Sequence, residues 1–231
     1  MKIPSSIRSV ITLLEPYAAM ATSPRPKYEP SLPDGLEIEA KIHIESDEDV
    51  TSIMDILAAQ GLKGFEHRSE DQYMFKLGDG AHICRIEVAD IDVTWLKIKS
   101  KNIPITTANH KFAAVLRKGV KLKPGDEEYD AYYKKVQELP LMARFNKECI
   151  NFFYSFRGYV FSLSFSLAWN ETFVRREMEF EYEGHTATQQ APTRQEVEEI
   201  MEDMLSSIIP QALQTRIHAE TKHESLLKLQ S

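Results

Sequence analysis

Glu37, Glu39, Lys41 and His43 alternate with Leu36, Ile38, Ala40, Ile42 and Ile44, so in an extended strand the ionisable groups share one face and the apolar ones the other. A second stripe, Arg175, Glu177, Glu179, Glu181 and Glu183, alternates in the same way with Arg176, Met178, Phe180 and Tyr182. One such stripe is the ordinary solvated face of an antiparallel sheet. Two of them could instead line one enclosed space. At an effective dielectric near 20, like charges about 5 Å apart repel by roughly 3 kcal/mol per pair, so clustered carboxylates there need a divalent cation, facing lysines or protons. Oxygen ligands without a Cys/His set favour Mg2+ or Mn2+, which carboxylates usually share with substrate phosphates. Basic residues on neighbouring strands would complement those phosphates.

Several segments together resemble the CYTH superfamily, the triphosphate tunnel metalloenzymes. Glu37-x-Glu39-x-Lys41 resembles its ExExK signature, Asp71-Gln72-Tyr73 its D-x-Y segment, Ile83-Cys84-Arg85-Ile86 its L-R-I segment, and Trp95-Leu96-Lys97-Ile98-Lys99 its lysine-bearing strand. Phe145-Asn146-Lys147 is similar to its v-x-K strand, Glu177-Met178-Glu179-Phe180-Glu181 to its late E-x-E strand, and Thr221-Lys222-His223 to its C-terminal S-K segment. The resemblance spans residues 35 to 230 and implies an antiparallel tunnel that binds a triphosphate with metal. It makes Glu37, Glu39, Glu179 and Glu181 candidate metal ligands, with Glu177 a lesser one, and Lys41, Arg85, Lys97, Lys99, Lys147 and Lys222 candidate triphosphate contacts. Lys41 and Glu39 are the candidate catalytic groups. The chain departs from the family pattern at Cys149 and Glu87, which stand where further cations are expected; Arg144, Arg157 or Lys111 could compensate.

The elements that must position these residues are legible from periodicity. A strand over 36–44 is followed by a helix over 47–60, started by Ser46 to Asp49 and stopped by Gly61, and by strands near 64–76, 81–90 and 93–100. The plan repeats as a strand near 111–118, a helix near 126–138 and strands near 143–156, 158–168 and 173–183. Two such halves supply eight strands, which suits a closed eight-stranded antiparallel barrel of α+β class with helices outside. Parity places Glu37, Glu39, Lys41, Arg85, Glu87, Lys97, Lys99, Lys147, Asn151, Glu177, Glu179 and Glu181 inside it. Arg117, Lys118, Lys121 and Lys123 read as a solvated loop, and Trp95 and Trp169 as structural. A helix over 193–209 follows. Residues 1–34, with a short helix near 6–15 and a proline-spaced linker, read as an extension to a tunnel domain over 35–231.

The composition is that of an ordinary globular chain: 231 residues, 42% hydrophobic, 27% charged, net charge −7. That charge makes nucleic acid an unexpected partner. Two cysteines, Cys84 and Cys149, offer neither a disulfide framework nor a thiolate site. No apolar run reaches spanning length, so a cytoplasmic protein without membrane attachment is expected, with a homodimer possible. The leading functional expectation is metal-dependent hydrolysis of inorganic triphosphate or of an organic (nucleoside or thiamine) triphosphate. The alternatives are a class IV-type adenylyl cyclase, making cyclic AMP and pyrophosphate from ATP, and a non-catalytic binder of nucleotides or triphosphates.

Overall fold

The computed structural model describes residues 10–21, 24–30, 32, 36–78, 81–88, 93–101, 103–107, 109, 111–187 and 190–219. In chain order the elements are α1 (Val10–Met20), β1 (Leu36–His43), α2 (Asp47–Gln60), β2 (Lys63–Gly78), β3 (Ala81–Val88), β4 (Val93–Lys99), β5 (Ile103–Thr106) and β6 (Ala113–Leu122). Then come α3 (Tyr129–Glu138), β7 (Leu141–Phe156), β8 (Tyr159–Trp169), β9 (Val174–His185), α4 (Arg194–Ile208), α5 (Gln211–Gln214) and β10 (Ile217–His218).

Hydrogen-bonded neighbours run β1-β9-β8-β7-β2-β3-β4-β6, and β6 pairs back onto β1, which closes an antiparallel barrel of eight strands. β5 and β10 are short additions beside β6 and β1. Periodicity missed both, because four and two residues are too few to display one. The expected strand over 111–118 instead covers Ala113–Leu122, long enough to pair with β1 through Leu36↔Lys118 to Glu39↔Val115 and with β4 through Leu96↔Leu122 to Lys99↔Gly119.

Local signals explain the remaining boundaries. Ser46 and Asp49 form a reciprocal capping box at the start of α2, Gly61 ends that helix in the left-handed region (φ 96°), and Thr193 with Glu196 forms the equivalent box for α4. Arg157 (φ 51°) and Gly158 (φ 85°) make the tight turn between β7 and β8.

Because alternate residues face opposite ways, the apolar halves of β1, β7, β8 and β9 point outward, where α1, α2 and α4 cover them. Ile38, Ile42, Phe152, Phe165, Phe180, Leu14, Ile53, Leu57, Met201 and Leu205 belong to this single outer core. A smaller outer cluster, Phe75, Ile83, Leu96 and Leu122, lies under Tyr129 and Val136 of α3. No described helix is long and apolar enough to cross a membrane.

Candidate functional site: a charged tunnel

With the apolar faces turned out, the barrel interior takes the charged ones. Cross-strand pairs put Glu39 beside Glu181, Lys41 beside Glu179 and His43 beside Glu177 on β1 and β9, while β6 lays Arg117 beside Glu37. The two acidic stripes therefore face one space. Ser162, Ser164 and Ser166 of β8 lie opposite Glu181, Glu179 and Glu177, small side chains that leave room for the carboxylates. Gly119 does the same from β6, since a Cβ there would collide with Glu37 Oε1.

One oxygen from each of Glu37, Glu39 and Glu181 lies within 4.8 Å of the others, a set that can hold a metal ion. All three donors are hard carboxylate oxygens, which fits Mg2+ or Mn2+. Glu179 stands outside this trio, with Oε1 3.4 Å from Lys41 Nζ. Glu177, the lesser candidate, is paired with Arg175 at 2.8 Å.

Cations surround the carboxylates. Arg117 donates from Nε to Glu37 Oε2 at 2.7 Å and from Nη2 to Glu39 Oε2 at 2.5 Å, and it is only 3% exposed. Lys41 Nζ lies 3.0 Å from Glu39 Oε1 as an ion pair without hydrogen-bond geometry, and Lys97 Nζ lies 3.6 Å from Glu37 Oε1. Burial alone would raise the Glu37 carboxyl, yet Lys97, Lys99 and Arg117 hold it down at about 2. Glu39 is likewise depressed, because Lys41, Arg117 and Lys99 outweigh its burial. Glu181 goes the other way, pushed up to about 8 by burial and by the negative charges of Glu37 and Glu39. Lys99 is pushed well below the usual lysine value by burial and by the neighbouring charges of Arg117 and Lys97.

Next to this cluster opens a cavity of about 170 Å3. Its polar wall includes Lys41, Arg68, Lys97, Lys99, Arg117, Lys121 and Lys147, with Glu70, Gln72 and Glu179; its apolar wall is Met74, Cys84, Ile86, Trp95 and Phe145. The structure thus brings together Glu37, Glu39, Glu181, Lys41, Lys97, Lys99 and Lys147 from the sequence candidates, with Glu179 at the edge. Lys222 lies outside the described residues.

Arg85 does not join them. It sits opposite Tyr73 on the outer face, with its guanidinium 4.3 Å from the Tyr73 ring centroid and 3.3 Å from Glu87. The parity of β3 is therefore opposite to the expected one: His82, Cys84 and Ile86 face the cavity, and Glu87 replaces no tunnel cation. The register was hidden because His82 to Val88 mixes polar and apolar residues on both faces.

The compensating cations are also different. Arg144 lies outside, 3.5 Å from Asp71; Arg157 pairs with Asp203, and Lys111 donates to Ser206. Arg68 instead faces inward opposite Cys149, and Arg117 and Lys121, expected in a solvated loop, reach the cavity from β6. Lys118 and Lys123 are exposed as expected. Trp95 lines the cavity with Lys121 Nζ 3.3 Å from its ring centroid, whereas Trp169 is part of the outer core. The available signal was the shared parity of Arg117, Gly119 and Lys121, obscured by exposed Lys118 and Val120 between them.

The raised Glu181 carboxyl sets a pH dependence for metal-stripped protein. Between about 4.5 and about 8 the folded form keeps this proton and the unfolded chain has released it, so stability falls as pH rises through that window and the loss is complete above it. Lys99 pulls the opposite way at the upper end. The quantity to read is thus the difference in melting temperature between wild type and Glu181→Gln from pH 5 to 8.5, which should grow in favour of the variant. A pH-independent difference would contradict the assignment.

No protein-family model matches the sequence, and no curated protein matches it. Solved structures do. A protein from Pyrococcus horikoshii superposes with a TM-score of 0.54 at 13% identity, over 81% of this chain and 98% of that one. A Vibrio parahaemolyticus protein provisionally assigned as an adenylate cyclase gives 0.50 at 10% identity, over 84% and 98%. The Mimivirus capping enzyme triphosphatase also gives 0.50 at 10% identity, over 86% and 95%. At such identities the likeness is one of fold alone.

Proposed function

We propose that the protein is a metal-dependent hydrolase of a triphosphate, inorganic or organic, held in the tunnel. The observation that carries this reading is the juxtaposition of the Glu37, Glu39 and Glu181 trio with the cation-lined cavity. A divalent cation held by those three residues would supply Lewis-acid charge neutralisation at phosphate oxygens. Lys41, Lys97, Lys99, Lys147, Arg68 and Lys121 would bind the chain of phosphates and oppose charge developing on the transferred and departing groups. Lys41, between Glu39 and Glu179, stands where the acidic and basic halves meet. Water then attacks the terminal phosphorus as the P–O–P bond breaks, giving orthophosphate and a diphosphate.

The likeness in fold to a capping enzyme triphosphatase supports this choice. The apolar wall of Met74, Ile86, Trp95 and Phe145 favours keeping the cyclase as a second reading, since it offers an organic base a surface that an inorganic triphosphate would not use. Product analysis separates them. Purified protein with Mg2+ or Mn2+ should release orthophosphate from tripolyphosphate or from a nucleoside triphosphate, and chelator should stop it. Cyclic nucleotide with pyrophosphate would replace the hydrolase by the cyclase. Tight binding without turnover across the panel would leave a non-catalytic binder.

A further inference from the structure

Arg117 stands out because its guanidinium occupies two of the three carboxylates that the metal would need. Its Nε and Nη2 reach Oε2 of Glu37 and Oε2 of Glu39 respectively, two residues apart on β1, through the register that pairs Arg117 directly with Glu37. The side chain is almost fully buried, yet it also lines the cavity. Gly119, two residues on, leaves the space into which Glu37 leans. A planar, permanently charged fork is suited to bridging two carboxylates.

We propose that Arg117 is an internal counter-cation: it holds Glu37 and Glu39 together when no divalent ion is present, and it competes with that ion for them. This inference rests on the reading of Glu37, Glu39 and Glu181 as metal ligands. Glu37 and Glu39, gathered with Glu181 within 4.8 Å, would repel one another without a counter-charge. Arg117 opposes this without coordinating anything, so the site is assembled before metal arrives. With Oε1 of Glu39 facing Lys41 and Oε1 of Glu37 facing Lys97, a divalent ion that enters through the Oε2 atoms displaces Arg117 from them. The freed guanidinium is then left facing the cavity, where phosphate oxygens of a substrate would replace its lost partners. Arg117 is thereby a positioning residue that exchanges one set of anions for another.

The test compares full-length wild type with Arg117→Gln and Arg117→Lys, all stripped of metal, by Mn2+ titration calorimetry and thermal melting. Arg117→Gln should bind Mn2+ about tenfold or more tightly than wild type, because the competing charge is gone. Arg117→Lys should fall between, since an ammonium cannot bridge both carboxylates as the fork does. The metal-free Gln variant should melt roughly 10 °C lower, as expected when one partner of a buried ion pair is removed, and Mn2+ should restore more degrees to it than to wild type. A guanidinium with a purely structural role would lower the melting temperature without tightening metal binding, and equal or weaker Mn2+ affinity in both variants overturns the proposal. If Arg117→Gln folds only with metal, Arg117→Lys carries the affinity comparison. Failure of wild type and both variants to bind Mn2+ would overturn the metal reading itself, and the proposal with it.

Discussion

Glu39→Gln should abolish metal-dependent turnover, with an expected loss of about a thousandfold and a fall of at least about a hundredfold in Mg2+ or Mn2+ affinity. Glu39 is fully buried, belongs to the trio of converging carboxylates and is flanked by both Arg117 and Lys41. Replacing an outer partner of a metal ligand typically costs ten- to a hundredfold in affinity, so loss of a direct ligand should cost at least the upper figure. The amide keeps the side-chain volume and an oxygen that can accept from Arg117, so the fold should survive. Losing the negative charge also relieves Glu181, whose carboxyl should titrate lower in the variant because Glu39 is one of the charges that raise it. Calorimetry and orthophosphate release on the same preparations, with melting curves to verify folding, read the outcome. Unchanged metal affinity in a folded variant would remove Glu39 from the ligand set.

The strands that a tunnel needs were legible wherever one face was uniformly apolar. In β1 and β9 the alternation is uninterrupted, and there the parity of Glu37, Glu39, Lys41, Glu179 and Glu181 agrees with the register of the folded sheet. In β4, Trp95, Lys97 and Lys99 share a face in the same way, and all three line the cavity. These are the strands whose outer faces are buried under helices or beside apolar neighbours, so a shift by one residue would expose the whole hydrophobic set.

Legibility failed where both faces carry polar groups. Arg85 is a tunnel cation by its resemblance to the L-R-I segment and by strand parity, but its outer position is satisfied by stacking on Tyr73 and by pairing with Glu87. Such aromatic support is a tertiary fact, set by the register of β2 against β3. Arg117 and Arg68 show the converse. Arg117 sits in a charge-rich run that reads as a solvated loop and Arg68 carried no signal at all, yet each faces inward beside a strand distant in sequence, with Glu37 lying 80 residues before Arg117 and Cys149 opposite Arg68. Spacing along one strand reveals a face; the identity of the partner strand decides which face is interior. The N-terminal segment illustrates the same point: Tyr28 donates to Glu183 and Glu29 pairs with His185, an attachment whose sequence signal is only the small residue Gly184 that lets the Glu29 carbonyl approach.

Lys97→Ala and Lys99→Ala should each lower kcat/KM for triphosphate hydrolysis by about a hundredfold or more, the size seen when one preorganised charge partner of a transition state is lost. Both side chains point into the cavity, and the Lys97 side chain keeps 27% of its exposure there, 3.6 Å from Glu37. Metal affinity should not fall with them, since each removes a positive charge from the neighbourhood of the carboxylates; that separates them from Glu39→Gln. Lys99 adds a signature of its own. In the anion-free protein burial, Arg117 and Lys97 lower it well below the ordinary lysine range, and the negative charge of an arriving polyphosphate should raise it again. Tripolyphosphate titrations in buffers of different ionisation enthalpy should therefore show proton uptake in wild type. The uptake should shrink in Lys99→Ala. Hydrolysis at wild-type efficiency in both alanine variants would remove these lysines from the phosphate site, and identical proton uptake in wild type and Lys99→Ala would assign the proton to another group.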